Sequence, residues 1–377
     1  MSALHELLGD SGIGAFDAAY PDRWLHAAGT APTSMFGWPD LNQVLAAATL
    51  PCDWINIVVG GARTTPADLT ELAEQVRAGH TLVVRHLERI YPQVARIAGA
   101  LAAELGEPVA ANLYVSQPGK QGFRLHYDSH DVLVVHLSGA KTWRICDRMV
   151  PYLVAGTAGN DHAVPDDNAP LGEPTLRPGD VLYLPRGQWH AAVADTESMH
   201  LTLGIYPRTG VDLLAFLTGH LRANVDLRRP APPEPVGPTQ VMGPKRRAHV
   251  ADTLAVIRAA LNDPDLVDAY ARHLATAAQP RPRAVFPATA DAPSTFTVAS
   301  GLRLHTTITS EGTELAGYGA SVTLPAPLRP LIDALTAGKP VNPATLAAGL
   351  DEQGRAHLYG AVQALRQLGW IEPDRAG

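Results

Sequence analysis

The chain has 377 residues, 46% of them hydrophobic and 18% charged, with a formal net charge of −7. That length exceeds what one core usually holds, so two or three domains of an ordinary globular protein are expected. The negative balance argues against a protein that grips nucleic acid, and two distant cysteines, Cys52 and Cys146, argue against a structural zinc finger or a disulfide framework, so a cytoplasmic protein is expected.

Met1 to Gly14 lacks a basic stretch followed by an apolar one, and no run of about 18 apolar residues occurs, so neither a signal peptide nor a membrane span is expected. Thr65-Pro66 reads as a helix start, with Thr65 as N-cap and Pro66 in the first turn. Tyr91 to Leu105 is a clearer helix: Val94, Ile97, Ala98, Leu101 and Leu105 recur at helical spacing and Gly106 stops it. From Val109 the texture changes to strands and tight turns. Strands are predicted at Val109–Val115, Val132–Leu137, Lys141–Cys146, Val181–Leu184 and Met199–Tyr206, with turns at Ser138-Gly139-Ala140 and Pro178-Gly179-Asp180. Short strands joined this way predict an antiparallel barrel or jelly roll.

Arg228 to Pro238 and Gln279 to Pro293 are Pro-containing connectors. Between them, His249 to Ala278 reads as two helices broken at Asn262-Asp263-Pro264. Beyond them come candidate strands at Gly301–Thr309 and Ser321–Leu324, helices near Pro327–Thr336, Pro343–Leu350 and Arg355–Leu368, and an extended end at Gly369-Trp370-Ile371. That order predicts a winged-helix-like module. Its segment 325–377 carries five Lys/Arg and five Asp/Glu, so it offers no basic face for DNA.

The chemistry concentrates in Asn112 to Trp143. His126-Tyr127-Asp128 is an H-x-D triplet, and residues i and i+2 of an extended chain point to one side. An imidazole and a carboxylate can there share one cation. His190, 62 residues beyond Asp128, follows an apolar strand and a Gly187 turn and is the candidate third ligand. Two histidines and one carboxylate on one face leave open positions on the metal, the pattern of non-haem Fe(II) oxygenases. An H-x-D alone is more often an ordinary surface or core histidine than a metal site; the Gly-rich turn before it and the buried strand after it shift the balance.

The motif continues on both sides. Asn112, Tyr114, Ser116, Pro118, Gly119, Gln121, Gly122 and Phe123 precede the triplet, and Gly139, Lys141 and Trp143 follow it. With GDVLYLPRGQWHAAV and SMHLTLGIY, these residues resemble the JmjC-type cupin family, in particular its ribosomal-oxygenase branch. The likeness is specific over Asn112 to Tyr206. It implies a mainly β core with helices: a double-stranded β-helix (jelly-roll, cupin) in an oxygenase domain spanning 1–228, core 109–206. A helical dimerisation region at 239–279 and a winged-helix-like domain at 294–377 would follow.

The resemblance also implies Fe(II) on His126, Asp128 and His190, with 2-oxoglutarate and O2 as cosubstrates. By the same likeness Lys141 and Tyr114 would anchor the distal carboxylate of 2-oxoglutarate, Thr202 and His200 would approach it, and Asn112 would lie nearby. The activity implied is hydroxylation of an amino-acid side chain in a protein or peptide, a ribosomal protein first, by a homodimer. Read without the family, Lys141 could be an exposed strand lysine, Tyr114 a barrel aromatic and Thr202 a strand former. His136 could be a core histidine, Asp131 a supporting acceptor or a turn cap, and Trp143, Trp189, Arg144 and Arg186 either substrate contacts or packing. The alternatives are a hydroxylase of a natural-product peptide or free amino acid, a metal cupin that uses no 2-oxoacid, and a catalytically silent binding protein.

Overall fold

The computed structural model describes residues 2–47, 52–154, 156, 170–234, 242–277, 295–299, 302–317 and 319–374. The chain divides into two compact units, Met1–Pro207 and Arg208–Gly377. The first holds α1 (Ala3–Ala19), β1 (Leu25–Ala27), α2 (Trp38–Ala46), β2 (Ile55–Val59), β3 (Ala62–Thr64), α3 (Leu69–Arg77), β4 (Thr81–Val84) and α4 (Pro92–Leu105). The barrel strands follow: β5 (Val109–Ser116), β6 (Asp131–Ser138), β7 (Lys141–Met149), β8 (Pro170–Gly172), β9 (Thr175–Leu176), β10 (Val181–Leu184), β11 (Gln188–Ala194) and β12 (Ser198–Ile205).

Eight strands form one antiparallel sheet in the order β1-β10-β6-β12-β5-β4-β2-β3, and β11-β7-β8, with β9 on β7, form the second. The central strands explain the sequence texture. β6 lies between β10 and β12, and both its faces are covered, so it reads as a continuous apolar run. Leu133, Val135 and Leu137 join the large core under α1 and α4, whereas Val132 and Val134 pack with Trp143, Ile145 and Leu176 of the second sheet. β5 alternates: Leu113 and Val115 go into the large core, while Asn112, Tyr114 and Ser116 point the other way. Burying each such Leu or Val contributes about 1.5–3 kcal/mol, which fixes the register, because a slip of one residue would turn these polar side chains into the core. The β6–β7 turn needs Gly139, whose φ is +74° and whose added Cβ would collide with the Glu197 carbonyl.

No helix opens at Thr65-Pro66; α3 begins at Leu69, because the Asp68 carboxylate accepts from the Thr70 and Glu71 N–H groups, both at 2.8 Å, and supplies the stronger cap. The short β2–β3 hairpin, which Thr64 ends, has no clear alternation in sequence.

The second unit contains α5 (Gly210–Leu221), α6 (Pro244–Leu261), α7 (Leu266–Ala277), β13 (Phe296–Val298), β14 (His305–Thr309), β15 (Gly312–Gly317), β16 (Ala320–Leu324), α8 (Arg329–Thr336), α9 (Pro343–Ala347), α10 (Glu352–Gln367) and β17 (Ile371–Pro373). The helix predicted from His249 starts earlier, at Pro244 in the first turn. Gln279–Pro293 and residues 235–238 of the first connector lie outside the described residues. Trp370, Leu315, Leu358 and Leu365 centre a core of their own. α5, α6 and α7 bury no residue at all. No helix among the described residues is long and apolar enough to cross a membrane.

Candidate active site

His126 and Asp128 lie in the β5–β6 connection, and His190 lies on β11. Two backbone bonds tie the segments together: the His126 N–H donates to the His190 carbonyl at 3.0 Å, and the His190 N–H returns the bond at 2.8 Å. The Gly187 N–H donates to the Asp128 carbonyl at 2.8 Å. Gly187 has φ +80°, and a Cβ there would strike the Val150 carbonyl, so the turn that presents His190 requires glycine. Asp131 braces the same turn, its Oδ1 accepting from the Arg186 N–H at 2.8 Å.

One ligand atom from each of His126, Asp128 and His190 lies within 4.8 Å of the others. His190 Nε2 stands 3.7 Å from Asp128 Oδ2. Each imidazole is oriented from behind: His126 Nδ1 lies 2.7 Å from the Arg124 carbonyl and His190 Nδ1 2.9 Å from that of Gln188. A carbonyl only accepts, so both Nδ1 atoms carry the proton and both Nε2 lone pairs face the centre, as metal-bound histidines require. Burial pushes His190 down to about 4, and the neighbouring His126 adds to it, so the imidazole stays neutral. Burial would raise the Asp128 carboxyl, but His190, His126, His130 and Arg63 together hold it below its ordinary value. A neutral His190 and a His126 turned with Nε2 towards the centre, beside an ionised carboxylate, form the donor set of a divalent transition ion.

The triad opens into a cavity of about 700 Å³, its mouth included, which Tyr114, Lys141, His200 and Thr202 also line. Lys141 is 4% exposed. Its Nζ donates to Ser116 Oγ at 3.0 Å, and that hydroxyl lies 3.2 Å from Thr81 Oγ1. No carboxylate pairs with it among the described residues, and burial alone pushes it down to about 8. A buried ammonium ion without a counter-charge is a carboxylate site in waiting. Tyr114 stacks on His200, with centroids 5.0 Å apart and planes 3° apart. His200 Nδ1 is buried without a partner, a second polar atom left for a ligand. Burial pushes Tyr114 up to about 12, so its hydroxyl keeps its proton.

Asn112 shares the face of Tyr114 but does not line the cavity; its Oδ1 accepts from the His86 N–H at 3.2 Å. His136 sits behind His200, with Nε2 3.2 Å from the Gly139 carbonyl. Trp143 lines the cavity, Trp189 packs edge-on to Tyr127, and Arg144 pairs with Glu173 at 3.5 Å. Sequence reasoning missed Thr81 and Arg63. Both come from strands before the motif, and sheet pairing alone brings them to the cavity.

Residues 84–213 match the JmjC domain family model. Ribosomal oxygenase 1 of Homo sapiens is 37% identical over 144 residues, covering 35% of this chain and 22% of that protein. The bifunctional lysine-specific demethylase and histidyl-hydroxylase NO66 of Drosophila grimshawi is 34% identical over 133 residues, covering 33% of this chain and 18% of that protein. The chain thus spans less than a quarter of either relative's length. The structure of YcfD, a ribosomal oxygenase from Escherichia coli in complex with cobalt and 2-oxoglutarate, superposes with a TM-score of 0.60 at 15% identity, over 96% of this chain and 97% of that one. The chain therefore carries a JmjC domain in a cupin-type fold, and is related to the ribosomal oxygenases in sequence across that domain and in fold over nearly its whole length.

Proposed function

We propose that this chain is an Fe(II)- and 2-oxoglutarate-dependent oxygenase that hydroxylates an amino-acid side chain of a protein or peptide, with a ribosomal protein the first candidate. One observation carries the reading: a His-Asp-His donor set converges on the same cavity as a buried lysine that has no counter-charge among the described residues. His126, Asp128 and His190 would hold Fe(II). Lys141 would pair with the distal carboxylate of 2-oxoglutarate, with Tyr114, His200 and Thr202 as hydrogen-bonding neighbours.

Fe(II) with 2-oxoglutarate and O2 supplies the oxidising power to insert oxygen into an unactivated C–H bond. The protein's part is positional. The Nδ1–carbonyl bonds fix the imidazole planes, and the paired backbones of His126 and His190 hold their spacing. Val132, Trp143 and Ala192 keep the cavity wall largely apolar, limiting water around the reacting carbon. Stable hydroxylation ranks above demethylation because no histone-reading module resembles any part of the sequence.

The remaining modules belong to the same proposal. Leu214, Val250, Leu254 and Val267 are exposed on α5–α7, which supports a dimerisation region at 239–279 that takes α5 with it. The order of β13–β17 and α8–α10 supports a winged-helix-like domain over 294–377. A cytoplasmic protein fits the paucity of cysteine. Anaerobic titration of Fe(II)-loaded protein with 2-oxoglutarate tests the central claim. A weak visible charge-transfer band, absent in Asp128→Ala, is expected; no band in iron-containing wild-type protein would overturn it.

A further inference from the structure

The second unit carries a cavity of its own, which the oxygenase reading does not use. It is a groove of about 1250 Å³, its mouth included, bounded by α7, the β14–β15 hairpin and α8. β14 is an edge strand that pairs with β15 and with no other strand. In an antiparallel pair, alternate residues turn their N–H and C=O groups away from the partner. Those of His305–Thr309 bond to nothing else among the described residues.

The register shows how the groove wraps that edge. Thr313 stands opposite Ile308 and Glu314 opposite Thr307, so the two pairs take opposite faces of the sheet. α7 covers the Glu314 face, since Arg272 reaches the Glu314 carboxylate at 3.3 Å. α8 covers the other, where Leu315, two residues on from Thr313, shares a core with Ile332. An extended chain laid along β14 would therefore lie between two helices.

Charge selects the occupant. Arg272 is paired with Glu314, and Arg329 with Asp333 at 2.8 Å. Asp265, just before α7, and Asp268, in its first turn, line the groove with no basic partner among the described residues. A helix N-terminus favours carboxylates, but it does not account for the floor of the groove. Thr313 is 6% exposed and lines the groove, and its hydroxyl has no hydrogen-bond partner among the described residues. A buried hydroxyl of this kind is a contact left for something that enters. Ile308, 79% exposed, adds an apolar lip for the methylene stem of a long side chain.

We infer that this groove docks an extended, basic segment of a partner protein, which adds to β14 as a further strand and sets Lys or Arg side chains against Asp265 and Asp268. Main-chain bonds to the strand edge supply the affinity, and the carboxylates choose the sign of charge. The inference goes beyond the oxygenase reading and does not depend on it.

The test uses the full-length protein and a fluorescently labelled decapeptide of alternating lysine and threonine, with anisotropy read at low salt. Wild type should bind it at least about tenfold more tightly than the alternating glutamate and threonine peptide. Asp265→Asn combined with Asp268→Asn should weaken binding by about fivefold, as expected of two exposed ion pairs. Both side chains are exposed, so the variant should keep its fold. Backbone pairing is read separately. Methylating the peptide nitrogens of one alternate set, the lysines or the threonines, should abolish binding, and methylating the other set should spare it, since only one set faces the strand. Spermine, which has the charge without the backbone, should bind at least about tenfold more weakly. No binding to wild type, equal affinity for the two charge signs, unchanged affinity in the double variant, or equal effects of the two methylated sets overturns the inference. Spermine binding as tightly as the peptide overturns it too, and would make the groove a polyamine site.

Discussion

The two ends of the cavity are built on different principles. At the triad, every orienting contact is local or backbone-mediated: imidazole to the carbonyl two residues back, strand to facing strand. The ligands are therefore held ready whether or not an ion is bound. At the lysine end, a charge is buried on a single hydroxyl contact and two neighbouring histidines have unpartnered Nδ1 atoms. One end is preorganised at little cost. The other stores an unfavourable desolvation that an anion would relieve.

The largest effect expected on this contrast is at the metal. Asp128→Ala removes the only anionic donor, and loss of even an outer-shell partner costs 10–100-fold, so divalent-metal affinity should fall by at least about 100-fold. Metal content after dialysis measures it. The fold should survive, because Asp128 contributes its backbone carbonyl, not its side chain, to the Gly187 turn. An unfolded Asp128→Ala protein would erase the distinction drawn between the two ends.

Lys141→Met probes the other end, with two opposite signs expected. Affinity for 2-oxoglutarate should fall by about 30-fold or more, as when one partner of a buried charge pair is truncated, while metal binding persists. Without cosubstrate the variant should be more stable than wild type. Burial lowers Lys141 from 10.5 to about 8, so between those values the unfolded chain binds the extra proton and wild-type stability rises with pH. Below about pH 8 the full penalty is present, of order 3 kcal/mol. The gap between variant and wild type in denaturant melts should be widest near neutral pH and close towards pH 10.5. A constant gap would mean that Lys141 does not carry a desolvated charge.

Gly187→Ala tests the preorganised end through the backbone. The left-handed φ and the Val150 carbonyl both oppose a Cβ, so a loss of about 1–3 kcal/mol is expected in chemical denaturation, with weakened metal binding. At the lysine end the matching glycine is Gly139, which lies in the turn before β7 and not on the strand that carries Lys141.

The same contrast explains what the sequence disclosed. The triad was legible because its donors sit in two short linear motifs, and strand geometry brings i and i+2 together without knowledge of the sheet. The barrel strands were legible because β6, covered on both faces, reads as an apolar run, and β12 alternates. The position of Lys141 rested on resemblance. Thr81, which contacts the Ser116 hydroxyl that holds the lysine, and Arg63 at the mouth were not legible, since β4 reaches β5 and β3 reaches β2 only through pairings between segments of different texture. The start of α3 was misplaced because two capping signals, Thr65 and Asp68, compete within four residues and only geometry decides.

The smallest effect separates a structural from a ligand-directed role for the hydroxyl behind the lysine. Ser116 Oγ takes the Lys141 Nζ hydrogen bond and is itself fully buried, with Thr81 Oγ1 its neighbour at 3.2 Å. Ser116→Ala removes about 1 kcal/mol of positioning, so 2-oxoglutarate affinity should weaken by about fivefold. In the cosubstrate-free protein the same change takes away the hydrogen bond to the ammonium and leaves only the Trp143 ring face, 5.9 Å away, so stability should fall rather than rise. Lys141→Met and Ser116→Ala should therefore move cosubstrate affinity in one direction and ligand-free stability in opposite directions. Combined, Ser116→Ala should cost no further 2-oxoglutarate affinity once Lys141 is methionine; an additive loss in the double variant would mean that Ser116 does not act through Lys141.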